Sequence, residues 1–147
     1  MFNSFLSILF FHLLEHIFQV IEIYLLGIPI LYAGGLLGLV FPHLIHNEYL
    51  HFFFVSFHLI GLFYFRNRFK DKLSLPWWQF AIYFQIFHFC EHLSLLTQFF
   101  QGVPMPLRSS PGQYLSHIPR PLLHLLYNSI STLPLFISVR LSSRSFK

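Results

Sequence analysis

The segment that decides the fold covers residues 7–20 and reads SILFFHLLEHIFQV. Apolar residues continue on both sides of it, and the first Lys or Arg of the chain is Arg66. A run of this kind can cross a bilayer as a helix, which takes about 20 mainly apolar residues. His12, Glu15 and His16 interrupt the run. An ionisable side chain inside a membrane helix is costly unless it has a partner, so these three residues are candidates for function.

The rest of the chain has the same character. Of its 147 residues 55% are hydrophobic and 10% are charged, whereas about 25% are charged in ordinary globular domains. Two further runs without Lys or Arg extend from Leu73 to Leu107 and from Pro121 to Val139. We therefore predict an all-α integral membrane protein, a bundle of four transmembrane helices in a single domain over residues 1–147. The spans are expected at about Ser4–Leu26, Glu48–Phe65, Trp77–Phe100 and Pro121–Val139.

The basic residues predict how the chain is oriented. They cluster at Arg66–Lys72 and Arg140–Lys147, each next to a span. The link Arg66–Lys72 holds four basic residues and one acid, so the positive-inside rule places it in the cytoplasm, with both termini on the same side. Because the positive charge lies at span ends, we attribute it to topology and expect the bilayer, and no nucleic acid, as the partner.

Two connections differ from ordinary loops. Gly27–Ile45 is apolar but interrupted by glycine and proline, so we expect it to lie in the interface or to dip into the protein, where its polar backbone groups find partners. Gln101–Arg120 is rich in proline and is expected to form an ordered loop. Three further histidines, which could guide metal inward, are expected in loops on the outer side: His43, His46 and His117.

The sequence also indicates an internal duplication. The pattern His-x-x-Glu-His occurs at residues 12–16 and again at residues 88–92. Glu22 aligns with Gln98, and after one residue of slippage Gly27-x-Pro29 aligns with Gly102-x-Pro104. In the following spans Leu50-His51 matches Leu123-His124. We predict two tandem two-helix repeats, at about 4–65 and 77–139, related by a pseudo-two-fold axis along the membrane normal.

These repeats predict one shared metal site in the outer half of the bilayer. At about 100° per residue, the two histidines and the glutamate of each motif share one face of a helix. His51 and His124 lie near the start of their spans, and Glu48 adds a carboxylate one turn before His51. The predicted metal ligands are His12, Glu15, His16, Glu48, His51, His88, Glu91, His92 and His124.

The donor types narrow the choice of cofactor. Imidazole with carboxylate suits iron, copper, zinc or manganese, and one Cys with two Met argue against a soft Cu(I) relay. Iron is the first expectation, because four-helix bundles hold di-iron centres with Glu-x-x-His pairs, and copper or zinc come next. Haem is an alternative, since opposed histidines can serve as axial ligands. A further alternative is interhelical hydrogen bonding alone, a role we also predict for Gln19, Gln85, Gln98 and Gln101.

Three functions are compatible with these features. The first is a membrane metalloprotein with redox or oxygen-dependent activity, a metal-dependent oxidoreductase whose lipophilic substrate arrives through the bilayer. The second is a carrier of protons or metal ions, which requires polar residues that continue to the cytoplasmic side. The third is a haem-binding or structural accessory subunit, with other membrane subunits as partners. A phosphate-binding loop and a nucleophile elbow are absent from the sequence, so nucleotide-driven chemistry is not expected.

Overall fold

The computed structural model describes residues 1–42, 47–103 and 118–145, with side chains up to residue 142. Over these residues the fold is all-helical and has no sheet. Its five α-helices, four of them long, are α1 (Phe2–Tyr24), α2 (Gly35–Val40), α3 (Glu48–Phe65), α4 (Leu75–Phe100) and α5 (Arg120–Ser145). Short 3₁₀ turns cover Ile30–Tyr32 and Arg66–Arg68. The loop histidines His43, His46 and His117 lie outside the described residues.

Each predicted span corresponds to one of the long helices, and α3 has the predicted bounds. Within the described part of the chain, three helical segments are long and apolar enough to cross a membrane: Phe2–Tyr24, Glu48–Arg68 and Arg120–Ser142. Helix α4 has sufficient length, with 26 residues, but histidine, glutamine and glutamate side chains make it less apolar. Large apolar side chains are exposed on all four long helices, including Phe11, Phe53, Tyr83 and Leu133, as expected of surfaces that face lipid.

Helices α1 and α4 end in related ways. Each is followed by a glycine in the left-handed region, Gly27 with φ of 66° and Gly102 with φ of 70°. After Gly102 the amide of Val103 donates to the carbonyl of Gln98 over 3.1 Å, and after Gly27 the amide of Ile28 donates to the carbonyl of Glu22 over 2.9 Å. Such bonds satisfy carbonyls that a helix end leaves unpaired. The bond after α1 spans one residue more than the bond after α4, and the sequence alignment slips by one residue at the same place. The duplication itself remains a prediction.

The long helices surround a common interior. Helix α4 packs extensively on α3 and on α5, and α5 also packs on α1. The contact between α1 and α3 is sparse, and the short helix α2 packs on α1. The bundle is therefore closed on three sides and more loosely closed between α1 and α3.

A small apolar core fills the end of the bundle where α3 ends and α4 begins. The indole N–H of Trp78 donates to the carbonyl of Leu62 over 3.1 Å, and the ring of Phe69 stacks on Trp78 with centroids 4.0 Å apart. The core members are Phe5, Leu9, Leu62, Phe69, Trp78, Ala81 and Leu135. Buried hydroxyls also occur at this end, where Ser138 donates to the Ser74 carbonyl over 2.9 Å, whereas the buried histidines of the sequence motifs lie toward the start of α3.

Substitution of Gly61 by alanine tests this core. Alanine in place of glycine inside a helix normally stabilises by about 1 kcal/mol. Here the new Cβ would overlap the ring of Phe5, which is buried in the core. We expect Gly61→Ala to destabilise the protein by about 1–3 kcal/mol, the usual cost of overpacking, and to lower the thermal unfolding midpoint in detergent.

The neighbouring Ile60 provides the control, because its side chain is 67% exposed. Ile60→Ala should leave the midpoint almost unchanged. A Gly61→Ala protein as stable as the wild type would contradict the close approach of α1 and α3 at this level.

Candidate functional site

The structure brings all six histidines among the predicted ligands into one histidine cluster. The cluster is contributed by α1, α3, α4 and α5, and its members are His12, His16, His51, His88, His92 and His124. Each of them has a ring contact with at least one other member. Because these residues come from four different helices, their convergence results from the packing of the bundle and not from local sequence.

Four central rings lie close together. The centroid of His16 lies 6.3 Å from His51 and 5.7 Å from His124. The centroid of His92 lies 6.0 Å from His51 and 5.2 Å from His124. His51 and His124 themselves are 5.5 Å apart. The ring orientations differ, with 78° between His16 and His124 and 5° between His51 and His92.

The two remaining histidines flank this centre in the same way. His12 lies 4.7 Å from His16, and His88 lies 4.9 Å from His92, measured between ring centroids. Beyond them, His12 stacks on Phe54 at 4.5 Å, whereas His88 meets the edge of Tyr127 at 5.6 Å. The two His-x-x-Glu-His motifs thus direct their histidines toward each other across His51 and His124.

Hydrogen bonds fix the tautomers of three rings. The side-chain oxygen of Gln19 accepts from His16 Nδ1 over 2.9 Å, so the neutral His16 ring accepts at Nε2 from His12, 3.3 Å away. His51 donates from Nδ1 to the carbonyl of Asn47 over 3.0 Å, which puts the lone pair of its neutral ring on Nε2. Backbone carbonyls commonly orient metal-binding imidazoles in this manner.

Helix α4 carries two buried histidines with ring nitrogens that lack hydrogen-bond partners among the described residues. His88 is fully buried, and neither of its ring nitrogens has a hydrogen-bond partner among the described residues. The Nδ1 atom of the buried His92 also lacks a hydrogen-bond partner among the described residues. A buried polar atom without a partner costs about 1–3 kcal/mol. These atoms are therefore the part of the cluster that a bound ligand would stabilise most.

The ring separations suit a shared ion, although the nitrogens do not converge on one point. With nitrogen about 2.1 Å from a metal, two ligating imidazoles have centroids roughly 4–6 Å apart, close to the spacing of the central rings. Among the described residues, however, no group of three His, Cys, Asp or Glu side chains is positioned to hold a metal as it stands. Ligation would require the rings to rotate about their side-chain bonds.

Comparison with known proteins gives no guidance. No family model, curated protein or solved structure matches the chain. Its function has to be argued from the residues of the site.

The glutamates are less concentrated at the cluster than predicted. Glu15 accepts from the amide of Leu37 over 2.9 Å, and Glu22 accepts from the amide of Gly35 over 2.8 Å. Both carboxylates thus satisfy amides in the first turn of α2, where helix N–H groups lack partners and the helix dipole favours negative charge. This explains how the segment after α1 can dip against the bundle.

Glu48 also has a structural partner. It is 2% exposed and forms an ion pair with Arg120, with 2.5 Å between Oε1 and the guanidinium nitrogen. The pair joins the start of α3 to the start of α5. Glu91, on the same helix as His88 and His92, is buried at 3% exposure, so it lies on the same buried face of α4 as these two histidines.

A small cavity lies beside the cluster at the loose side of the bundle. His12, His16 and His51 line it together with Glu15 and residues of α2, and its volume is about 30 Å³. That is room for about one or two water molecules, or for an ion. A porphyrin is much larger than this cavity.

The interior below the cluster is mixed in polarity. Buried Gln85 donates to the carbonyl of Val55 over 3.1 Å, and His58 touches Phe5. The apolar core follows, with Leu62, Trp78 and Leu135 essentially inaccessible. Buried polar side chains continue past this core on α5, where the Ser138 hydroxyl donates to the Ser74 carbonyl over 2.9 Å.

Several contacts around the cluster were not predicted from the sequence. Gln85 is interhelical as predicted, but Gln19 bonds within α1, to His16. Gln19 follows His16 by three residues, a spacing at which side chains of one helix are neighbours, so this bond could have been predicted. Arg120 as the partner of Glu48, and Tyr127 against His88, depend on contacts between residues far apart in the chain.

The cap on α2 leads to a first prediction for this region. Glu22→Leu removes the acceptor for the Gly35 amide and should cost about 1–3 kcal/mol, the penalty for a buried unpaired donor. Faster hydrogen exchange of the Gly35 and Leu37 amides would report the loosening of α2. Glu22→Gln retains an acceptor oxygen and is the matched control. Equal exchange in both variants and the wild type would contradict the cap.

The ion pair leads to a second prediction. Arg120→Gln leaves the buried Glu48 carboxylate without its partner and should destabilise by on the order of 2 kcal/mol, less than a fully buried pair would because Arg120 is 24% exposed. The double variant Glu48→Gln with Arg120→Gln should recover much of this loss in thermal unfolding. Additive losses in the double variant would show that the two side chains do not interact.

Proposed function

We propose that the protein is an intramembrane metalloprotein in which all four long helices, α4 included, cross the bilayer and hold a transition metal at the histidine cluster. The observation that supports this most is the convergence of imidazoles from four helices, with central ring centroids 5.2–6.3 Å apart. Burying this many polar rings is costly. A role in packing alone does not account for His88, whose ring nitrogens lack partners among the described residues.

The donor set suggests the metal. Imidazole suits iron, copper and zinc, and Glu91 lies on the same buried face of α4 as His88 and His92. Because Glu15 and Glu48 have other partners, the likeness to carboxylate-rich di-iron bundles is weaker than the sequence indicated. We keep iron as the first candidate, with copper or zinc close behind.

The proposal includes a topology. The basic link Arg66–Lys72 and both termini face the cytoplasm by the positive-inside rule, so the cluster lies toward the outer side. The two repeats, about 4–65 and 77–139, meet at a pseudo-two-fold axis that passes between His51 and His124. The placement of His16 and His92 within 5.2–6.3 Å of both of these rings supports that axis.

The chemistry we propose is a redox or oxygen-dependent reaction on a lipophilic molecule. The small cavity lined by residues of α1, α2 and α3 is the approach to the cluster. A metal bound there supplies redox or Lewis-acid chemistry. The surrounding residues orient the imidazoles through Gln19 and Asn47 and exclude bulk water by burial. An organic substrate exceeds the present cavity, so its entry requires α2 to move.

Elemental analysis of the purified protein tests the metal site. We expect stoichiometric iron, copper or zinc in the wild type, and loss of most of it in His92→Ala and in His124→Ala, because each removes a central imidazole. Gln85→Ala is the matched control, since Gln85 is equally buried but donates to the Val55 carbonyl. It should retain the metal.

Metal-free wild type that also fails to bind added Fe²⁺, Cu²⁺ or Zn²⁺ would refute the proposal. So would equal retention of metal in all three variants. Folding of each variant is checked by circular dichroism, so that loss of metal is not confused with loss of structure.

A further inference from the structure

A second cavity lies at the opposite end of the bundle from the histidine cluster. It is a groove between the end of α3, the link that follows and the first turns of α4, with a volume of about 370 Å³. Pockets that bind small ligands have volumes of about 300–1,000 Å³. The groove is separate from the proposed metal site, because the apolar core lies between them.

One wall of the groove is cationic. Arg66 and Lys70 line it with Asn67, and both basic side chains are exposed. Within the described part of the chain, neither forms an ion pair with a carboxylate. The groove therefore presents positive charge that the protein itself does not neutralise.

The nearest charged neighbours in the link are engaged elsewhere. Asp71 accepts from the Ser74 hydroxyl and, over 2.9 Å, from the Ser74 amide, and these bonds lower the pKa of the Asp71 carboxyl. The guanidinium of Arg68 lies 5.0 Å from the ring centroid of Phe2 and 5.9 Å from that of Phe65. The pair Arg66 and Lys70 is thus distinguished from the other charges of the link.

The other wall is apolar and faces outward. Phe63 is 44% exposed and Ile86 is 38% exposed, and Ile82 lies between them in the groove lining. These residues belong to α3 and α4 on the surface that we expect to contact lipid. Tyr83 and Gln79 also line the groove.

We propose that this groove binds one anionic phospholipid, with its phosphate between Arg66 and Lys70 and an acyl chain along Phe63, Ile82 and Ile86. Basic pockets between membrane helices are suited to acidic lipid headgroups, and each nearby Lys or Arg contributes about 1 kcal/mol. A free phosphate would use the cations but not the apolar wall. The combination of the two walls favours a lipid.

Lipid binding is measured on delipidated full-length protein in nanodiscs of phosphatidylcholine with a minority of phosphatidylglycerol, using native mass spectrometry to count retained lipid. We expect wild type to retain phosphatidylglycerol in preference to phosphatidylcholine. Lys70→Gln should weaken retention about fivefold, as expected for the loss of one lipid-facing cation. Lys72→Gln is the matched control, because Lys72 lies in the same link but does not line the groove, and it should leave retention unchanged.

Three results would overturn the proposal. Equal retention of the two lipids by wild type would show that the groove does not select charge. Equal weakening by Lys70→Gln and Lys72→Gln would show general surface attraction. Displacement of phosphatidylglycerol by inorganic phosphate would show an anion site without a lipid. All three are independent of metal content, so failure here and failure of the metal site are distinguishable.

Discussion

The structure depends on one constraint: a polar side chain inside a bilayer-length helix must find its partner within the protein. Lipid offers no hydrogen bonds, so each buried imidazole or carboxylate directs its helix toward another polar group. Here the histidines of α1 and α4 meet those of α3 and α5 at a common centre. The packing of α4 on α3 and α5, and of α5 on α1, brings these histidines together.

The same constraint acts along the whole bundle. The histidine cluster lies at one end, and at the other Trp78, Leu62 and Leu135 form an apolar core. Between them Gln85 donates to the Val55 carbonyl. Polar side chains also continue on α5, and the buried hydroxyls of Ser131 and Ser138 donate to backbone carbonyls, so they too find their partners within the protein.

Periodicity and the positions of rare polar residues predicted part of this structure from the sequence. The bounds of α3, the inward faces of the two motifs and the place of His51 and His124 beside them all follow from local spacing. The sequence could not reveal that Glu15 and Glu22 serve α2, because that bond pattern depends on how residues 25–34 turn back on α1. The pairing of Glu48 with Arg120 joins residues 72 positions apart, and no local pattern specifies such a contact.

X-ray absorption spectroscopy of the metal-loaded protein tests the central claim, the shared histidine site, most directly, because scattering from imidazole rings identifies histidine ligands. The account predicts at least three imidazoles around the ion, as in histidine-rich metal sites generally, with fewer after His124→Ala. A shell of water and carboxylate oxygen with at most one imidazole would contradict it.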